Sequence, residues 1–215
     1  DHEKELGVAM IDMGGGTSDI LILHNGAIRH TSVIGLGGNS ITDDLAFGLS
    51  APNEEAERLK KTFGCAIEDE GEDLDADIEV KGVGGRKPRS VTKAVLNRII
   101  QPRVEEILML IFRDIKKTDF VDLLGAGIVM TGGGSLLRNI DILAEQIFEK
   151  PTRIGIPKGF GGLTNPAADP QYATGIGLCM YAFEHDQEGS ISTPLKQDSF
   201  KVIVDKMKNW IKEFF

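Results

Sequence analysis

The apolar positions of the chain form short runs broken by glycines, followed by longer stretches with helical spacing. Leu6 to Met13 is a first run, ending in Asp12 and three glycines, and Ile20 to Leu23 is a second. Asn25-Gly26 is a strong hairpin signal, and Ala27 to Leu36 reads as a third strand. The pattern predicts a three-stranded meander with turns at Gly14-Gly15-Gly16 and Asn25-Gly26. Gly37-Gly38-Asn39-Ser40 then opens a helix, with Ser40 or Thr42 as N-cap. Ser50 or Asn53 starts another, with Glu54, Glu55 and Glu57 near its positive end and Gly64 as its stop. Residues 68–77 hold seven acids in ten positions. Such a run cannot bury itself and predicts a mobile loop.

Further on, Ile78 to Val83 reads as a strand and residues 84–89 as a basic loop. Ser90 begins a long helix to about Lys117, with apolar positions at 95, 99, 104, 107, 108, 111 and 115. Pro102 should kink it or divide it. Gly127 to Thr131 is a buried strand, and Gly132-Gly133-Gly134-Ser135 leads into a helix through about Phe148. A Gly/Pro-rich loop spans 159–170, an apolar helix runs from Tyr172 to Phe183, a linker covers 185–199, and a separate amphipathic helix covers 200–215.

Composition narrows the function classes. With 215 residues, 41% apolar and 27% charged, the chain has the makings of a soluble globular core. Its net charge of −9 argues against a nucleic-acid partner. That charge is uneven: residues 201–215 carry Lys201, Lys206, Lys208 and Lys212 against only Asp205 and Glu213. Cys65 and Cys179 form no CxxC pair, which reads as a reduced, cytosolic chain without a zinc site. No leader opens the chain, and no apolar run reaches the roughly 18 residues of a membrane span. The start at Asp1, without Met, reads as that of an excised fragment. The histidines at 2, 24, 30 and 185 are scattered, and no Ser-His-Asp or Cys-His constellation is apparent.

Two glycine loops carry the candidate chemistry. Asp12-Met13-Gly14-Gly15-Gly16-Thr17 joins two strands. Glycines let backbone N–H groups approach an anion, the Thr17 hydroxyl adds a donor, and Asp12 is placed to hold Mg2+ through water. One glycine would serve a plain hairpin, so three favour phosphate. Thr131-Gly132-Gly133-Gly134-Ser135 follows a strand and opens a helix, a ready nucleotide site. Neither is a Walker loop or a GxGxxG. In this order and about 120 residues apart, they resemble the phosphate-2 and adenosine motifs of the actin, Hsp70 and sugar-kinase ATPases. That resemblance implies nucleotide contacts from Gly14, Gly15, Gly16, Thr17, Gly38, Gly132, Gly133, Gly134 and Ser135. It also implies adenine and ribose contacts from Glu57 and Lys60 in the helix segment 56–60, which on spacing alone would be a solvated face.

Three further stretches narrow the family: Gly38-Asn39-Ser40-Ile41-Thr42-Asp43-Asp44, residues 78–90 (IEVKGVGGRKPRS), and Gln101-Pro102-Arg103-Val104-Glu105-Glu106-Ile107. They resemble segments of the FtsA family, actin-like ATP-binding proteins that attach the bacterial division ring to the membrane. The resemblance implies an α/β chain: an actin-like (ribonuclease H-like) second lobe with a mixed sheet, an inserted α/β subdomain and a C-terminal amphipathic helix. Residues 1–38 and 121–168 would form subdomain 2A, and 39–120 the inserted subdomain 2B. Helix 169–184 would return to an absent first lobe, exposing Tyr172, Ile176, Met180 or Phe183; 185–199 would be linker and 200–215 the membrane-targeting helix. The cofactors implied are ATP and Mg2+, weakly held here because the phosphate-1 loop belongs to the missing lobe. The parent protein would be a weak ATPase at most, and this chain inactive.

In the tail, Phe200, Ile203, Val204, Met207, Trp210, Ile211, Phe214 and Phe215 fall on one helical face. Lys201, Lys208 and Lys212 fall on the other, a pattern suited to an anionic membrane surface. The family's implied partners are the acidic C-terminal tail of FtsZ, other division proteins, the inner face of the cell membrane at the division site, and further copies in actin-like filaments. Arg86, Lys87, Arg89, Arg98 and Arg103 are the candidate groups for the FtsZ tail, with solvated surface charge as their default reading. A pilus-assembly type of actin-fold scaffold, or the second lobe of a sugar or acetate kinase, are the alternatives; a kinase has no use for the tail helix.

Overall fold

The computed structural model describes residues 2–68, 71, 73–85, 87–159 and 168–186. The tail helix expected at 200–215, nearly all of the linker and Arg86 lie outside the described residues. Two compact units divide the chain, Asp1–Ile176 and Gly177–Phe215.

The first unit is built on a five-stranded sheet in the order β3-β2-β1-β6-β7. The predicted meander is there as β1 (Val8–Met13), β2 (Ser18–His24) and β3 (Ala27–Ile34), all antiparallel. Asn25 and Gly26 both take positive φ in the second turn, as a tight hairpin with right-handed strand twist requires. β6 (Ile128–Thr131) adds parallel to β1, and β7 (Thr152–Ile154) parallel to β6. The sheet is therefore mixed. Its register sets Asp12 opposite Thr131, so the two glycine loops leave adjacent parallel strands at the same edge. That is where open α/β sheets bind ligands.

Ala9, Ile11 and Met13 alternate into the core with Ile20 and Ile22 of the neighbouring strand. α4 (Lys93–Lys116) supplies much of the rest of the core through Leu96, Ile100, Val104, Ile107, Leu108, Ile111 and Ile115. The expected stripe holds from Val104 onward but not before it: Val95 is exposed and Ile99 half-buried. At about 100° per residue Val95 lies opposite Val104, and stepping back by fours reaches Ile100 and Leu96 instead. α4 also starts later than Ser90, because Arg89–Thr92 forms β5, which pairs with β4 (Asp77–Val80). Pro102 does not divide the helix. It lies on the exposed face, where water can hydrate the carbonyl it frees, while Ile100 and Val104 hold both halves on one core.

Other departures are local. A short α1 (His2–Leu6) precedes the sheet, and Arg153 of β7 pairs one guanidinium edge, Nε and Nη2, with both carboxylate oxygens of Glu3 there. α2 (Gly38–Gly48) is capped by Gly37 without a side chain, so neither Ser40 nor Thr42 is its N-cap. α3 (Asn53–Phe63) ends at Gly64 as expected. The second glycine loop opens a 3-10 turn, Gly133–Leu136, not the longer helix. α5 (Ile140–Phe148) begins only after Asn139 has turned left-handed. Pro170–Tyr172 is another 3-10 turn, followed by α6 (Ala173–Asp186). On this last stretch Tyr172 and Phe183 are exposed as expected, Ile176 and Met180 are half-buried, and Leu178 and Tyr181 are more exposed than either.

One ion pair fixes α3 to the β4–β5 hairpin. Arg58 grips Glu55 through Nε (2.9 Å) and Nη2 (2.8 Å), the Lys81 amide donates to Glu55 Oε1 (3.1 Å), and Arg58 reaches the Glu79 carbonyl. The Arg58 guanidinium, opposed by burial and helped by the Lys81 amide, holds the Glu55 carboxyl down at about 2. A depressed folded-state value stabilises the fold above the unfolded carboxylate range and loses that contribution as pH falls. Glu55→Gln is therefore expected to cost about 2 kcal/mol near pH 7. The gap from wild type should close between about pH 4.5 and pH 2. Urea titrations of both proteins at several pH values check it, and an unchanged gap in acid would count against the ion pair.

Candidate functional site

A cleft of about 590 Å3 opens where the two glycine loops meet α2 and α3. That is ample for a small ligand or nucleotide. Gly14 and Gly15 line one side and Gly133 and Gly134 another. Ile41, Phe63, Leu136 and Leu137 give it an apolar part. Among the described residues its charged lining is Lys60, Lys61, Lys93 and Arg138 with the carboxylate of Glu57. Lys60 and Lys61 both pair with Glu57, and Lys93 and Arg138 have partners of their own, so the draw toward an anion comes from basic groups gathered beside glycine-loop amides, not from free charge.

The loops pack on each other closely. Gly132 has φ +82, and a Cβ there would lie 2.2 Å from Asp12 Oδ1 and 2.6 Å from the Met13 carbonyl oxygen. A Cβ on Gly134 would lie 2.5 Å from Met13 Cγ. The first loop closes through Gly14 N to the Thr17 carbonyl at 2.8 Å. The start of α2 then docks on it: the Gly38 amide donates to the Gly14 carbonyl (2.9 Å) and the Asn39 amide to that of Gly15 (2.8 Å). Any Cβ on Gly37 would collide with both carbonyls, at 2.6 and 2.7 Å. Those contacts give the Gly37-Gly38-Asn39 segment its physical reason.

The candidate residues separate accordingly. Gly14, Gly15, Gly38, Glu57, Lys60, Gly133 and Gly134 line the cleft; Gly16, Thr17, Gly132 and Ser135 do not. Thr17 Oγ1 donates to Asp19 (3.2 Å). Ser135 is buried with its hydroxyl on the Gly132 carbonyl (2.7 Å), so it shapes the loop without facing the cleft. Gly132 likewise acts by letting the strands approach. Sequence reasoning missed Lys61, Lys93, Arg138 and Gln171 in the lining. Arg138 and Gln171 come from the turns following Gly134 and Asp169, which no helical or strand pattern could bring together.

Lys60 Nζ donates to Glu57 (2.6 Å), the Gly38 carbonyl (2.9 Å) and Thr42 Oγ1 (2.9 Å). Burial pushes the Glu57 carboxyl up, but the Lys60 ammonium and Thr42 hydroxyl outweigh it and hold the group below the ordinary range. Asp12, half-buried at the end of β1, accepts from Thr174 Oγ1 at 2.6 Å. Among the described residues no group of three or more acidic, His or Cys side chains could cage a metal. One carboxylate beside glycine loops suits Mg2+ held mainly through water and phosphate.

Between residues 39 and 120, Arg103 is committed within the fold, to Asp44 of α2 (2.6 and 3.0 Å) and to Glu106 (2.5 Å). Arg89 donates to the Leu49 carbonyl. Lys87 and Arg98 are exposed, with no ion pair among the described residues. The fold also gathers a Ser, Asp and His that looked unrelated in sequence. Ser32 Oγ donates to Asp114 Oδ2 at 2.5 Å and His30 Nε2 lies 3.6 Å from the same oxygen. The serine is bonded to the carboxylate and not to the imidazole, so no base activates it.

A family model described as "Cell division protein FtsA" matches residues 9–177. The chain is 42% identical over 221 residues to the cell division protein FtsA of Neisseria meningitidis serogroup B, covering 100% of this chain and 53% of that protein. For FtsA of Pseudomonas aeruginosa the figures are 38% over 223 residues, 100% and 52%. The chain thus spans about half the length of the curated relatives it matches. Among solved structures, MreB5 of Spiroplasma citri bound to ADP superposes with a TM-score of 0.67 at 23% identity, covering 88% of this chain and 58% of that one. That likeness shows the actin-like fold, and with the family match over most of its residues the chain belongs to the FtsA family of cell division proteins.

Proposed function

We propose that the chain is the nucleotide-holding second half of an actin-like protein that tethers FtsZ filaments to the inner face of the cell membrane and polymerises there. The cationic cleft between the two glycine loops carries this reading. ATP fits it, with phosphates toward Gly14 and Gly15 and the nucleoside against Glu57, Lys60 and the Gly133-Gly134 turn. Mg2+ would sit near Asp12. The ADP in MreB5 supports a nucleotide in this fold. The proposed division of labour keeps 1–38 with 121–168 as subdomain 2A and 39–120 as 2B. The FtsZ tail would meet exposed cations of 2B, Lys87 and Arg98 foremost, since Arg103 is already paired. The basic, apolar-faced segment 200–215 supports the membrane contact.

Calorimetry separates the parts of this reading. Residues 1–215 alone are expected to bind ATP more weakly than micromolar and not to hydrolyse it, because one cleft wall holds too few donors for three phosphates. Micromolar or tighter binding by these residues would overturn that expectation. A chain of the relatives' full length that includes them should bind ATP with Mg2+, and its failure to do so would remove the nucleotide reading itself.

A further inference from the structure

We infer that Thr42 is a positioning residue of the cleft, whose hydroxyl fixes the Glu57 carboxylate and the Lys60 ammonium against the ligand. The inference rests on the nucleotide reading above. Thr42 is 6% exposed and sits inside α2, where a threonine is a mediocre helix former. Its presence there calls for a reason beyond helix formation. The hydroxyl has one proton to give: Glu57 Oε2 at 2.5 Å is a much nearer acceptor than the Gly38 carbonyl one turn back at 3.2 Å, and the same oxygen accepts from Lys60 Nζ at 2.9 Å, so it bridges two helices. Lys60 in turn donates to the carbonyl of Gly38, whose amide holds the Gly14 carbonyl. Thr42 is thus the buried node joining the charged wall to the first glycine loop. The other groups facing Glu57 are Lys60 and Lys61, the latter at 3.2 Å from Oε1. Removing the hydroxyl leaves the ion pair without its third point. Two flexible side chains then have to be ordered by the ligand itself, at the expense of affinity.

The test uses fluorescent ATP-analogue binding in a chain of the relatives' full length, with Thr42→Val, Thr42→Ser, Glu57→Gln and Thr42→Val/Glu57→Gln. Thr42→Val is expected to bind about tenfold more weakly, the loss of one charge-assisted hydrogen bond. Thr42→Ser should stay within about twofold, and the double variant should lose less than the sum of the two single losses, since residues that share partners are not additive. Carbon-detected NMR of the Glu57 carboxyl in residues 1–215, without nucleotide, gives an independent reading. Its titration should move to higher pH in Thr42→Val, because a donor to the charged form is lost. Equal binding by Thr42→Val and wild type, a Thr42→Ser as weak as Thr42→Val, or additive losses in the double variant would each overturn the inference. If wild type binds no nucleotide but the Glu57 titration still moves, the nucleotide reading fails and the positioning role stands. An unmoved titration overturns the positioning role.

Discussion

Trp210→Glu is expected to release the chain from anionic vesicles, shifting it from pellet to supernatant. As a helix, residues 200–215 would place Trp210 on one apolar face with Phe200, Ile203, Val204, Met207, Ile211, Phe214 and Phe215. Sixteen residues make a helix of roughly 24 Å, too short to cross a bilayer, and such a helix is marginal alone in water. Among the described residues no helix is long and apolar enough to cross a membrane either. A helix lying in the interface is stabilised by its buried apolar face and by lysines near anionic headgroups, each adding about 1 kcal/mol. Replacing Trp210 forfeits about 2–3 kcal/mol of burial and adds a like charge, so retention should drop by about a hundredfold.

Pelleting with phosphatidylglycerol-containing and with purely phosphatidylcholine vesicles, at low and high salt, checks it. Wild type should pellet only with the anionic set, less so in high salt, and the emission of Trp210, the only tryptophan, should shift blue. Wild type left in the supernatant, with Trp210 already blue-shifted, would mean that the tail packs on protein and would count against the membrane contact.

What could be read from the sequence follows the range of the forces involved. The meander was legible because alternation and Asn25-Gly26 are local signals, and the glycine loops because their composition is rare. β5 and β7 were not. β5 is four residues reading Arg-Ser-Val-Thr, formed only because β4 lies beside it, and β7 is three residues added to an edge by its parallel neighbour. The stripe of α4 failed only in its first turns, where Val95 and Ile99 are as apolar as the true core positions Leu96 and Ile100. Arg103 looked like a free surface cation, since nothing local reveals that Asp44, 59 positions away, will accept two of its three hydrogen bonds. For Ser135 and Gly132 the structure adds a part that the sequence did not show, the shaping of their loop. Composition marks a loop as permissive, but only the approach of β1 to β6 shows which residues face a ligand and which make the approach possible.

Gly132→Ala should accordingly be among the most damaging single-methyl changes in the chain. Its φ of +82 with ψ 166 is a conformation essentially reserved for glycine, costing another residue about 1–3 kcal/mol. The added Cβ also meets the Met13 carbonyl oxygen at 2.6 Å, a backbone atom at the end of β1, where Met13 pairs with Ser18 and the preceding Asp12 with Thr131 of β6, so relief requires the β1 and β6 ends to part. Together these put the loss at about 3–4 kcal/mol, or a melting temperature lower by about 10 °C for a chain of this size. Parting the strands moves Asp12 and Gly134 out of register, and a displacement of about 1 Å is enough to weaken a precisely arranged site about a hundredfold. Gly16→Ala supplies the contrast: nothing lies within 4 Å of its Cβ position, and its φ lies outside the left-handed range. Calorimetric melting of both variants, with nucleotide titration of each in a chain of the relatives' full length, should show Gly132→Ala crippled in both measures. Gly16→Ala should melt like wild type, and any affinity it loses would report phosphate contact at that glycine directly. A Gly132→Ala protein that melts and binds like wild type would mean that the β1 and β6 ends do not meet as the fold places them, and the cleft would have to be redrawn.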